Sequence, residues 1–203
     1  MLMKNTVLIL ASILLLSGCG DPEFHYQNKD ESRSVTLRIP KEYINSLPGV
    51  SYEKNGPVII SFAYPQLAPP KKSLPEEQKV TVSISHLSNL ELTTQETSNP
   101  YCETNKKWKP LQSAGIHGEF YKFIGKSPGG ARADITYKPI KKTPGLYCIT
   151  CVEDANCQIH AISSQGIDYS AFYTEDLMPD KWQSIYIAVD KILGKFTTSS
   201  KGI

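Results

Sequence analysis

The stretch Leu146-Tyr-Cys-Ile-Thr-Cys-Val-Glu-Asp-Ala-Asn-Cys-Gln-Ile-His-Ala-Ile162 decides the fold class. Leu146–Val152 is rich in β-branched and aromatic residues and reads as a strand. Gln158–Ile162 reads as a second strand. Between them Val152 to Asn156 is a plausible hairpin turn, with Asp154 and Asn156 as its turn residues. Two strands so closely joined must run antiparallel. The three cysteines follow from the same geometry. Cys148 and Cys151, three apart on a strand, would lie roughly 10 Å from each other, and a disulfide needs Cα atoms within about 7 Å. Cys151 and Cys157 flank the turn and face each other, close enough to bridge. That leaves Cys148 for Cys102, the remaining cysteine of the downstream chain.

Working outward, other segments alternate in the same way. Ser34–Ile39, Pro57–Tyr64, Gly115–Ile124, Ala133–Tyr137 and Ile167–Tyr173 read as strands. In Lys79–His86, Val80, Val82 and Ile84 alternate with Thr81, Ser83 and Ser85, the cleanest half-buried strand of the chain. Pro65 to Pro75 holds four prolines and two lysines and reads as an extended loop. Only the end changes period. Trp182, Ile185, Tyr186, Val189, Ile192, Leu193 and Phe196 recur at steps of three and four, an amphipathic helix, with Pro179 fitting its first turn. About eight strands before one terminal helix predict an α+β fold, a mostly antiparallel β-sheet with the C-terminal amphipathic helix packed on it.

The N-terminus carries an address. Lys4 precedes the apolar run Val7–Leu16, and Leu16-Ser-Gly-Cys19 follows. A run this short, after a basic start and before small residues, reads as a secretory signal and not as a transmembrane helix. Leu-Ser-Gly-Cys is similar to the lipobox of bacterial lipoproteins. The resemblance implies cleavage before Cys19 and acylation of that cysteine with palmitate-type chains. Gly20, where an Asp would favour retention in the inner membrane, leans the address to the outer membrane, facing the periplasm. The expected layout is residues 1–18 as signal peptide, 19–33 as lipidated cysteine and flexible stalk, 34–197 as a single α+β domain, and 198–203 as a loose tail. An even number of further cysteines in an exported chain implies disulfides. Cys148-Ile-Thr-Cys151 also fits a redox motif, but such a motif opens a helix in a βαβ unit, and here it lies on a strand. A zinc site lacks a second C-x-x-C.

With 22 Lys+Arg against 20 Asp+Glu, the chain lacks the concentrated basic surface of a nucleic-acid binder. His25, His86, His117 and His160 have no close metal spacing, no G-x-S-x-G elbow is present, and nothing singles out Asp168 and Asp176 as a catalytic pair. The expectation is no enzyme, no cofactor and no metal. Two segments are candidate partner contacts. One is Tyr64-Pro-Gln-Leu67 with the prolines and lysines after it. The other is Lys106-Lys107-Trp108-Lys109, where an exposed Trp would anchor an interface and the lysines would steer an acidic partner.

The order of features resembles a group of small bacterial lipoproteins. The lipobox is followed by Val35-Thr-Leu-Arg-Ile-Pro-Lys-Glu-Tyr-Ile44, by Ser61-Phe-Ala-Tyr-Pro65, by a late cysteine cluster before Ile167-Asp-Tyr-Ser-Ala-Phe-Tyr173, and by Leu177, Trp182 and Phe196. These features look like the periplasmic immunity lipoproteins that accompany type VI secretion phospholipase effectors. The resemblance implies an inhibitor, a monomer before binding, that neutralises a lipase-like protein by complex formation, with no catalytic residue to carry over. The alternative is an envelope-assembly or scaffold lipoprotein that binds another secretion or cell-wall component.

Overall fold

The computed structural model describes residues 20–28, 31–45, 57–71, 74–75, 78–87, 102–106, 109–126, 132–174 and 181–202, with the side chains of 86, 105, 106, 109, 110 and 126 set aside. The elements are β1 (Glu23–Gln27), β2 (Ser34–Arg38), a 3₁₀ turn (Lys41–Tyr43), β3 (Val58–Ala63), β4 (Lys79–Leu87), β5 (Asn105–Lys106), β6 (Lys109–Pro110), β7 (Gln112–His117), β8 (Phe120–Lys126), β9 (Ala133–Pro139), β10 (Leu146–Val152), β11 (Asn156–Ile162), β12 (Ile167–Thr174), α1 (Trp182–Phe196) and β13 (Thr197–Lys201). Eight strands form one antiparallel sheet in the order β3-β4-β12-β11-β10-β9-β8-β7. A second sheet has the order β1-β2-β13, and β5 and β6 form a two-stranded pair. The fold is α+β, as the strand and helix patterns predict.

The cysteine hairpin sits at the centre of the large sheet. Cys151 is directly opposite Cys157, and the two are bridged with Cα atoms 4.0 Å apart. Asp154 takes the left-handed conformation the turn requires (φ 53°). The second bridge, Cys102–Cys148, has a Cα separation of 5.7 Å. It ties the segment just before β5 to the large sheet, beside buried Tyr147 and Ile162.

One face of the sheet is the core. Val80, Val82, Ile84, Ile149, Ile159, Ala161, Tyr169 and Ala171 alternate onto it and are buried. The helix lays Trp182, Ile185, Ala188, Val189, Ile192, Leu193 and Phe196 into the same core, the stripe that the sequence period predicts, except that Tyr186 is only half-buried. Trp182 meets Phe120 edge-on at 5.1 Å, and at the other end Phe196 meets Tyr43 at 5.0 Å. The helix starts at Trp182, with no side-chain cap from Lys181. Pro179 lies outside the described residues.

Three expectations need correction. The stretch read as a flexible stalk contains β1, paired along its length with β2, from Glu23–Arg38 to Gln27–Ser34. Phe24 and Tyr26 alternate with His25 and Gln27 and are buried, so this strand belongs to the core. The stretch read as a loose tail contains β13, which pairs with the other side of β2 through its backbone while its side chains stay mostly exposed. Gly115–Ile124, read as one strand, is a hairpin. The chain reverses at Gly118-Glu119, where Gly118 adopts φ +57°, a conformation most residues avoid. His117 then pairs with Phe120.

Candidate docking surface at the open end of the sheet

The two edges of the large sheet are finished differently. Along β3 the chain covers its own edge. Ile44 bridges Ile60 and Ala68 bridges Ala63, while the Asn45 N–H donates to the Ile59 carbonyl at 2.9 Å. The Asn45 amide also donates to buried Ser61 Oγ at 2.7 Å. Along β7 no strand pairs with the far side among the described residues, and Gln112 to Ile116 are exposed. A bulge between Ser113 and Ile116, with Gly115 at φ +87°, bends this edge, a common way of keeping a free strand from pairing indiscriminately.

A groove opens beside that edge. It is lined by Gly118, Glu119 and Phe120 from the β7–β8 turn, by Pro139 to Lys141 and Thr143 after β9, and by Trp182, Gln183, Tyr186 and Ile187 from the start of the helix. Its volume is about 510 Å³, within the range of natural binding clefts. Phe120 and Trp182 form the buried floor. Ile140 and Ile187 stand on the rim, Ile187 with 62% of its surface exposed. On the opposite face of the same hairpin Ile116, 68% exposed, pairs across the strands with exposed Tyr121. Of the large apolar side chains exposed among the described residues, only Phe172 lies elsewhere, on β12.

The polar rim is held in place. The Gln183 amide donates to Glu119 Oε2 at 2.9 Å, joining helix to turn. The Tyr186 hydroxyl donates to the Pro144 carbonyl at 2.6 Å. Burial, and then the nearby Asp190 carboxylate, push that hydroxyl's pKa up to about 12, so it stays a neutral donor. A Cβ at Gly145 would collide with the Ile162 carbonyl and with this hydroxyl, so only glycine fits there. Lys141 and Lys181 are exposed at the mouth. Such a surface can take an apolar anchor into a fixed pocket with polar contacts around it, the anatomy of a protein–protein interface.

The residues singled out from sequence are scattered. Tyr64 and Leu67 are half-buried against the core. The Tyr64 hydroxyl donates to Ser184 Oγ at 2.7 Å, and the Leu67 carbonyl accepts from Tyr43 Oη at 3.0 Å, so this loop is fastened to the helix and the 3₁₀ turn. Lys107 and Trp108 lie outside the described residues; the flanking β6 lies close to β8. Cys19 is also outside them. His25 shares a hydrogen bond with Thr36 on the small sheet, and the His117 ring lies tilted against Tyr137, with centroids 5.7 Å apart. His160 is buried on the other sheet face, its two nitrogens engaged by Thr150 Oγ1 at 3.1 Å and Ser170 Oγ at 3.0 Å. Asp168 accepts from Tyr147 Oη at 3.3 Å, and Asp176 is not among the described residues. No group of three or more His, Cys, Asp or Glu is placed to hold a metal among the described residues.

The groove had no sequence signal of its own. Its three walls come from segments some twenty to forty residues apart; Ile116 and Ile140 are isolated apolar residues, and Ile187 lies within the helix's own apolar run Ile185-Tyr-Ile-Ala-Val189.

No protein-family model and no curated protein matches the sequence. One solved structure has a similar shape: Smlt3025, an immunity protein of the Stenotrophomonas maltophilia type IV secretion system, at TM-score 0.48 and 10% identity, covering 89% of this chain and 95% of that one. The likeness is too slight to assign a function.

Proposed function

We propose that this protein is a periplasm-facing lipoprotein of the outer membrane, anchored at Cys19, that binds and neutralises a toxic lipase or phospholipase effector. The observation that carries the binding role is the apolar groove with Ile140 and Ile187 on its rim, beside the open β7 edge and the exposed Ile116–Tyr121 pair. Exposed apolar side chains gathered at one end of a molecule mark an interaction site more often than scattered ones do. The β8–β9 pairing and the Gln183–Glu119 hydrogen bond hold that end in place, which lowers the ordering cost of binding. The lipobox-like Leu16-Ser-Gly-Cys19 and the likeness of the mature chain to immunity lipoproteins support the address and the class of partner.

The test is a pull-down from the producing cell's periplasm, with oxidised residues 20–203 as bait. The expected outcome is one stoichiometric lipase-like protein whose lipid hydrolysis falls on binding, and whose capture is lost with the Ile187→Lys variant. Recovery of envelope machinery would replace this reading with the scaffold alternative. A lipid or acyl chain bound in the groove without a protein would make it a carrier.

A further inference from the structure

We infer that the domain sits directly on the bilayer, with the start of β1, the 3₁₀ turn and the C-terminal end of the helix against the lipid headgroups and the groove held away from them. The inference rests on the proposed acylation of Cys19. Its own support is the length of chain between that residue and the fold. β1 begins at Glu23, and Pro22 is already fastened, its carbonyl accepting the Ile39 N–H at 3.1 Å. Only Gly20 and Asp21 remain free, so Cys19 and Pro22 can be no more than about 10 Å apart. An acyl chain buried in the membrane therefore draws this end of the fold to its surface.

The contents of that end follow from the ladders. Glu23 is opposite Arg38, and one residue further in, Leu37 is opposite Thr197, the residue after the helix. Tyr43 packs on Phe196, and Lys195 Nζ lies 6.0 Å over the Tyr43 ring. Lys41, Lys191 and Lys195 are exposed here and suit the lipid phosphates, the last two being one helical turn apart. Arg38 is paired with Glu23; Asp21 and Glu42 are also exposed here, and Asp190, next to Lys191, is engaged by Ser164. The charges nearly balance, so electrostatics alone would not hold this face down, and the tether does so. The groove is at the opposite end of the same helix. Trp182 to Phe196 spans 15 residues, or about 20 Å of rise, so an effector reaching the groove from the periplasm meets no lipid in its way.

Lysine footprinting tests the orientation. The full-length lipidated protein is reconstituted into phosphatidylethanolamine–phosphatidylglycerol vesicles and acylated with a membrane-impermeant amine reagent. The Cys19→Ser variant is treated alongside, with the same vesicles. Flotation first shows whether the wild type is vesicle-bound. The expected result is that labelling of Lys41 and Lys195 falls severalfold in the bound wild type relative to the variant, while Lys141 and Lys181 are unchanged. Inserting a Gly/Ser linker of about twenty residues between Asp21 and Pro22, flexible enough to free the domain, should restore Lys41 and Lys195 while the protein still floats. Uniform labelling of floating wild type, or protection of Lys141, overturns the orientation and leaves the anchor standing. Failure of the wild type to float overturns the anchor and the orientation with it.

Discussion

The β3 and β7 edges of the large sheet face the same physical problem and meet it differently. Each presents a row of backbone donors and acceptors that a neighbouring strand could pair with. At β3 the chain closes the row with residues of its own, Ile44 and Asn45 on one stretch and Ala68 on the other. At β7 it only bends the strand and leaves it exposed. Composition accounts for the difference. Val58-Ile-Ile-Ser-Phe-Ala63 is buried along nearly its whole length and would be costly to leave in water. Gln112-Ser-Ala-Gly-Ile-His117 has one large apolar side chain, Ile116, and can stay solvated. The closed edge therefore belongs to stability, and the open edge, with the groove beside it, is the part of the sheet free to take a partner.

The largest expected effect lies at the closed edge. Ile60 is fully buried and pairs with Val82. Ile60→Ala should cost about 2–5 kcal/mol in urea unfolding, the usual range for truncating a core isoleucine. A loss under about 1 kcal/mol would mean the β3 edge can collapse around the gap, and the contrast between the edges would fail.

The two bridges come next. Cys102–Cys148 closes a loop with a sequence separation of 46 and Cys151–Cys157 one of only 6. Chain entropy scales with the logarithm of loop length, giving about 4 kcal/mol for the first and about 2 for the second. Replacing each pair by serine and measuring unfolding should reproduce that order. The reverse order would show that local packing around the short bridge outweighs loop closure.

The sequence made much of this architecture legible and the docking end hardly at all. Strands of period two and a helix of period 3.6 write their buried faces into the chain. The pairing of Cys151 with Cys157 followed from turn length, and Trp182, Ile185, Val189, Ile192, Leu193 and Phe196 followed from spacing, because each is a local rule. β1 was hidden because its five residues lie among charged neighbours, although Phe24 and Tyr26 alternate. β13 was hidden because Thr-Thr-Ser-Ser-Lys has no apolar face and pairs chiefly through its backbone. The turn at Gly118 lies between His117 and Glu119 in a stretch that carries no Pro, Asn or Asp to mark it. The groove is a long-range object. Nothing near Ile187 says that Phe120 and Ile140 come beside it.

Tyr186 stands where the groove meets the core and should show a smaller effect. Tyr186→Phe removes one hydrogen bond, to the Pro144 carbonyl, and should cost about 1 kcal/mol. The wild-type residue also carries a pH signature. Its folded pKa of about 12 lies above the unfolded value near 10. The stability it contributes is therefore complete below pH 10 and is lost as the pH rises from about 10 to about 12. Tyrosinate absorbance across that window should shrink in the variant. A difference between the two proteins centred near pH 10 would show instead that Tyr186 titrates as a free phenol.

The smallest effect on stability is expected at the open edge, where it is the most informative. Ile116→Lys replaces an exposed side chain on a strand with no outer partner among the described residues, so unfolding should shift by no more than about 0.5 kcal/mol. Binding of the captured effector is a separate measurement. Ile116 lies on the face of the hairpin opposite the groove, and Ile187 lies on the groove itself. A partner that runs alongside β7 as an added strand sends alternate side chains to both faces, so it should be weakened by Ile116→Lys and by Ile187→Lys alike. A partner that only fills the groove should feel Ile187→Lys and ignore Ile116→Lys. If Ile116→Lys unfolds the domain instead, the β7 edge is structural like β3, and the contrast on which the docking surface rests is gone.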